Sequence, residues 1–438
     1  MIYLLFFALC CMFIIAYLIN QKDILSPWVI TIGMFLVSTV FAILNIETWD
    51  FQLSSITVIV ILSGVFAFGV GELLVSAMFE KHGKAKSIVH TKKANRIEVQ
   101  GWILAVIVIG MICGLLVMVK QTYDMSLQAG NPGGLATMLE YARKLYIQPG
   151  YTIGKASIHI SLMGKALSAI FLYFFMNNVF YDKKKRDILY LFPVVLYLGM
   201  AALGTGRTFM IEFLGMALIF GLIIERKKNN WVTISIVKVA LIAVAALLIF
   251  FIFFFLFGFI TGKSQGTKLF DMVSVYTGMS IPSLDVWLNK AKDIPTVFGE
   301  ETMYGVTSVL RKLNIIQYLR ETVRHLEFVD FGDATGNVYT CFRRYINDFG
   351  YVGMLLVQTA VGSFYSVFYN NIKRENGFGI LLIFYGILMY PLLMQSIDEL
   401  ILSSYLSTSY VYLVIYILVF YFILIKGGKK KVGNLNEH

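Results

Sequence analysis

The sequence predicts an all-α, polytopic membrane protein of about eleven transmembrane helices, forming one integral membrane domain over residues 1–438. Three observations carry this. Hydrophobic residues make up 58 % of the chain and charged residues only 14 %, against roughly 25 % charge in a typical soluble domain. The mean hydropathy is +0.74. The apolar residues fall into runs of the length a bilayer requires, about 20 residues each. These features exclude a soluble globular enzyme, a disordered chain and a disulfide scaffold.

Taken in order, the runs lie at 1–19, 27–45, 56–78, 100–119, 158–181, 188–204, 208–224, 232–260, 349–371, 378–395 and 404–425. The first lacks a basic leader and a small-residue cleavage site, so it reads as a span and not as a removable signal. The sixth and seventh meet at a tight turn, Gly204-Thr205-Gly206-Arg207. The eighth is long enough to tilt or to continue past the bilayer. Orientation follows from the positive charges on short loops. Lys81, Lys84, Lys86, Lys92, Lys93 and Arg96 occupy one loop, DKKKRD at 182–187 the next, and Arg226, Lys227 and Lys228 follow the seventh span. Lys373 and Arg374 follow the ninth, and Lys426, Lys429, Lys430 and Lys431 lie in the tail. Eleven spans put all five groups on one side, which is then the cytoplasm, with the C-terminus inside and the N-terminus outside. Two long segments remain outside, at 120–157 and 262–348. Loops this long are commonly functional, and short helices on the membrane face are expected in them.

The arginines are distributed differently from the lysines. About two-thirds of the 26 lysines are cytoplasmic, whereas Arg143, Arg207, Arg311, Arg320, Arg324, Arg343 and Arg344, seven of the 11 arginines, are not. A guanidinium fork suits phosphate and carboxylate, so this bias points to a phosphate-bearing or acidic ligand outside. Ion pairing with the loop's own acids is the alternative. Arg207 follows two glycines at the membrane edge, where it can approach a head group or snorkel. Glu212 lies inside an apolar run, where an acid needs a partner; Arg207 and Lys165 are the candidates. Glu72 reads as structural. Tyr276, Trp287, Tyr304, Tyr318, Phe328, Phe331 and Tyr339 interleave with polar groups in the outer loop; such rings stack on sugars or anchor at the interface. GFITGKS at 258–264 is one residue short of a P-loop and follows a span. The four cysteines, Cys10, Cys11, Cys113 and Cys341, form no metal or redox pattern. His159 and His325 read as surface or packing residues. No metal, cofactor or nucleic-acid partner is expected.

Several stretches resemble the Wzy-type oligosaccharide repeat-unit polymerases of bacterial polysaccharide assembly. ATGNVYTCFRRYINDFGYVG at 334–353 resembles the family's block leading into a late span. YTGMSIPSLDVWL at 276–288 and FGEETMYGV at 298–306 resemble two earlier stretches of the same loop, and GTGRT at 204–208 its small-residue-plus-arginine turn. The related O-antigen ligases carry a histidine where this chain has Gly336, which favours a polymerase over a ligase. A flippase for lipid-linked oligosaccharide is the third reading, though the charges here gather outside and do not line a path. The resemblance implies a GT-C-like glycosyltransferase whose large extracytoplasmic loop, 262–348, bears the active site. It implies transfer of a glycan from undecaprenyl pyrophosphate to the terminal hydroxyl of a second lipid-linked unit, with membrane lipid, a flippase and a chain-length regulator as candidate partners. Under it, Arg207, Arg343 and Arg344 clamp the pyrophosphate, with Arg311, Arg320 and Arg324 as further binders. Asp348 is the first candidate for the base, or else caps a helix, and Asp333, Asp330, Glu327 and His325 follow. Asn337, Tyr339 and Tyr276 are candidate sugar contacts.

Overall fold

The computed structural model describes residues 1–83, 96–146, 154–206, 208–260, 269–290, 295, 297–317, 326–332, 334–374 and 379–429. The chain is an all-α polytopic membrane protein. Its helices are α1 (Ile2–Ile19), α2 (Pro27–Leu44), α3 (Ile46–Trp49), α4 (Ser55–Gly83), α5 (Gly101–Gln128), α6 (Met138–Tyr146), α7 (Lys155–Tyr181) and α8 (Leu191–Leu203). There follow α9 (Thr208–Lys228), α10 (Ile236–Ile260), α11 (Leu269–Gly278), α12 (Ser280–Leu288) and α13 (Tyr304–Lys312). A two-stranded hairpin, β1 (Val329–Phe331) and β2 (Ala334–Gly336), precedes α14 (Phe342–Arg374), α15 (Ile380–Leu393) and α16 (Thr408–Lys429).

Among the described residues ten helices are long and apolar enough to cross a bilayer, and the shorter apolar segment Ile380–Ser396 is an eleventh. Each expected run is therefore helical. The last span begins at Thr408, later than the expected 404, because residues Ile401–Tyr405 form a π-turn. The buried Glu399 carboxylate accepts the Leu402 N–H at 2.7 Å and the Ser403 N–H at 2.8 Å. It thereby fixes that turn apart from α16. Rows of exposed apolar side chains, among them Phe7, Val106, Ile109, Leu248, Ile252 and Ile415, coat the outer helices. Such a surface suits lipid and would aggregate in water.

Side-chain links define two ends of the bundle. At the basic end, Asp23 receives Lys373 and the Tyr369 hydroxyl, each at 2.8 Å, and pairs with the Arg226 guanidinium. These contacts gather the α1–α2 turn and the C-terminal ends of α9 and α14. Glu72 caps the start of α2, accepting the Ser26 hydroxyl at 2.5 Å and the Trp28 N–H at 2.7 Å. A helix start leaves such donors unpaired, so Glu72 is structural, as the sequence suggested. Arg96 pairs with Asp187 at the same end. At the opposite, loop end, Asp285 of α12 accepts from Ser54 and Thr57 at 2.5–2.8 Å, and Phe331 packs on Trp49 and Phe51.

Helices α4 and α14 approach at backbone distance, as small residues allow between membrane helices. A Cβ on Gly362 would lie 2.0 Å from the Phe68 carbonyl oxygen, and one on Gly71 2.0 Å from that of Thr359. Helix α14 is also broken by Gly350, at φ +70° and ψ −178°, a conformation open essentially to glycine alone. The break sets residues 342–349, FRRYINDF, apart from the span that follows. Gly350→Ala is expected to cost about 1–3 kcal/mol, read as a lower melting temperature in detergent.

Candidate functional site

The loop end presents residues 326–332 and 334–348 against α12, the turn at 300–303 and the segment 395–407. The β1–β2 hairpin pairs Val329 with Gly336 and Phe331 with Ala334. Gly336 sits so close to Met279 that a Cβ would lie 2.4 Å from its sulfur. A histidine there would require the Met279 side chain to move. Tyr339 follows, fully buried, and its hydroxyl donates to the Glu327 carbonyl at 3.1 Å. Burial pushes its phenol well above the usual range.

Arg343 and Arg344 are neighbours on one helix, so their side chains leave it about 100° apart. They meet different surroundings. Arg343 is 3 % exposed. It donates to Glu301 at 2.5 Å and to Glu327 at 2.6 Å. Its guanidinium lies 4.9 Å from the Tyr339 ring centre and 5.2 Å from that of Trp287. It clasps three segments of the loop together and is already enclosed by two carboxylates and two rings. Arg344 instead reaches Asp398, with Nε to Oδ1 at 3.0 Å and a second nitrogen to Oδ2 at 3.4 Å. Both residues line a polar cavity of about 600 Å³, with Lys312 and Tyr304 of α13, Ser403, Ser404 and Thr408 around them.

Asp348 faces elsewhere. Its Oδ2 accepts the Thr302 N–H at 2.6 Å and the Glu301 N–H at 3.1 Å. It thus caps the turn at 300–303, where the sequence suggested a free base or the cap of its own helix. Of the other candidates, Arg311 is exposed on the last turn of α13. Tyr276 is exposed with its ring edge-on to Phe254 at 5.5 Å, and Asn337 is half-buried after β2. Asp330 is exposed and accepts from Thr335 at 2.8 Å. Arg207, Arg320, Arg324, His325 and Asp333 lie outside the described residues. The structure therefore gathers Arg343, Tyr339 and Glu327 into one clasp and leaves Arg344 at a cavity. Arg311 is one residue from Lys312 on the same short helix.

Below the polar cavity lies an apolar one of about 690 Å³, lined by Val357, Val361 and Phe364 of α14, Phe384 and Leu388 of α15, and Leu413 of α16, among others. The segment 400–410 is the shared wall. Ile401, Leu402, Tyr405 and Leu406 face the apolar side, and Leu400, Ser403, Ser404, Ser407 and Thr408 the polar side. In the sequence alone, residues from 404 onward read as part of a span, and nothing is singled out in the connection at 396–403. The signal present in it was IDELILSSYLSTS at 397–409, two acids and six hydroxyl residues between two apolar runs. Glu399 beside Asp398 is fully buried, and burial holds its carboxyl above the usual carboxylate range.

The arrangement can hold an anion at its polar end and an aliphatic chain at its apolar end. No family model, no curated protein and no solved structure matches the chain.

Proposed function

We propose that this chain polymerises oligosaccharides carried on undecaprenyl pyrophosphate, at the outer face of the bacterial cytoplasmic membrane. In this reading the basic end faces the cytoplasm and the loop end faces out, in keeping with the positive charge on the short loops. The observation that carries the reading is the wall shared by two cavities: a polar one holding Arg344 and Lys312, and an apolar one between α14, α15 and α16. A polyprenyl diphosphate has the same two parts, a dianionic head and a long isoprenoid tail.

The chemistry follows from the leaving group. The terminal hydroxyl of the acceptor attacks the anomeric carbon of the donor glycan. The bond from that carbon to the pyrophosphate oxygen breaks, and its electron pair leaves with the diphosphate. Negative charge builds there, and preorganised cations that meet it lower the barrier. Arg344 supplies a planar fork and Lys312 a point charge. The hydroxyl proton goes to a carboxylate; Asp398, which lines the polar cavity beside Arg344, is better situated than Asp348, whose carboxylate caps the 300–303 turn. Arg343 holds the loop in shape and touches no substrate. Arg207 retains, from the resemblance, the role of a second clamp. The energy comes from the activated diphosphate, so no nucleotide is consumed.

The test is reconstitution of the purified protein in liposomes with lipid-linked repeat units from its own host. A glycan ladder without nucleotide is the expected result. A single unchanged band from folded protein would overturn the polymerase reading in favour of ligation or lipid translocation.

A further inference from the structure

A second polar group set reaches the wall between the two cavities from inside the bundle. Lys165 of α7 pairs with Glu212 of α9 at 2.5 Å, with side chains 10 % and 8 % exposed. Tyr405 donates to Glu212 at 3.2 Å, and the Lys165 ammonium donates to the Tyr410 hydroxyl at 3.3 Å. The two tyrosine rings stack with centres 3.8 Å apart. Tyr410 is the one described residue that lines both the apolar and the polar cavity.

Burying an ion pair between apolar helices is expensive, and packed apolar side chains would often serve stability as well. What this pair does beyond packing is hold a phenol at the joint. An ammonium is a donor only, so the Tyr410 oxygen must accept from Lys165. The phenol's own hydrogen is then free to rotate toward the best acceptor within reach. A phosphate oxygen is a far better acceptor than a neutral phenol, because charge-assisted bonds are roughly twice as strong as neutral ones. The bond from the ammonium also makes the phenol a stronger donor.

We infer that Tyr410 donates a hydrogen bond to the phosphate next to the isoprenoid chain, and that the Lys165–Glu212 pair is a positioning device for that donor. Arg344 and Lys312 meet the head group from the polar side; Tyr410 meets it where head and tail join. The donor therefore distinguishes a lipid diphosphate from the corresponding alcohol. This inference rests on the lipid-diphosphate reading of the two cavities.

The experiment measures binding of undecaprenyl pyrophosphate and of undecaprenol to the full chain in nanodiscs. Tyr410→Phe is expected to weaken the pyrophosphate about tenfold or more and to leave the alcohol unchanged, the loss of one hydrogen bond to a charged group. Lys165→Met alone would strand Glu212, so the second variant is Lys165→Met with Glu212→Gln. It is expected to give the same selective loss, with little further loss when combined with Tyr410→Phe, because the groups act as a unit. Equal weakening of both ligands would reduce the cluster to packing and overturn the inference. So would wild-type affinity in Tyr410→Phe when Arg344→Ala still weakens the pyrophosphate, a result that leaves the proposed function standing. Loss of selectivity in neither variant, with Arg344→Ala also silent, would remove the lipid-diphosphate reading itself.

Discussion

Arg344→Ala is expected to lower polymer formation by roughly 100-fold or more, the effect of removing about 3 kcal/mol of preorganised charge stabilisation. The protein should remain folded and in the membrane. The Asp398 side chain that loses its partner is 26 % exposed, so water screens its charge, and the stability cost should stay below the roughly 3–5 kcal/mol of breaking a fully buried pair. Arg344→Lys keeps the charge and loses the fork, and an intermediate loss is expected. Activity of isolated membranes, normalised to protein level, separates the outcomes. A wild-type ladder from Arg344→Ala would remove this residue from the site.

The residue before it should behave in the opposite way. Arg343→Ala leaves Glu301, whose side chain is 1 % exposed, as a buried charge without its guanidinium. Breaking such a pair costs about 3–5 kcal/mol, which many domains of marginal stability cannot bear. Low protein level and a lowered melting temperature are expected, and the polymer lost with them. The distinguishing variant replaces both partners, Arg343→Met with Glu301→Met, because an apolar pair of similar volume is often neutral. Recovery of protein and polymer together fits a clasp. A folded double variant without activity would mean that Arg343 itself meets the substrate.

That contrast also shows where sequence reading runs out. Both arginines stand in the same FRRY stretch, and nothing in the pattern distinguishes them. Their roles depend on the phase of a helix that Gly350 interrupts, and on which acids the loop folds onto them. Glu301 and Glu327 are 42 and 16 residues away from Arg343 in the chain. The spans were legible because a bilayer imposes length and apolarity on each one separately. The Lys165–Glu212 pair was half legible, since an acid in an apolar run demands a partner, and the sequence left two in play. Asp398, Glu399 and the hydroxyl-rich segment after them were missed because they sit in a short connection, and length had marked the longer loops. Asp348 was seen at the mouth of a span, but only the fold brings the 300–303 turn onto its carboxylate.

The most direct test of the central claim is a structure of the protein in nanodiscs with undecaprenyl pyrophosphate bound. The account predicts phosphate density in the polar cavity within hydrogen-bond distance of Arg344, and isoprenoid density continuing past Tyr410 between α14, α15 and α16. Diphosphate density at another site, with that cavity and the groove beneath it filled by bulk lipid or water, would contradict it.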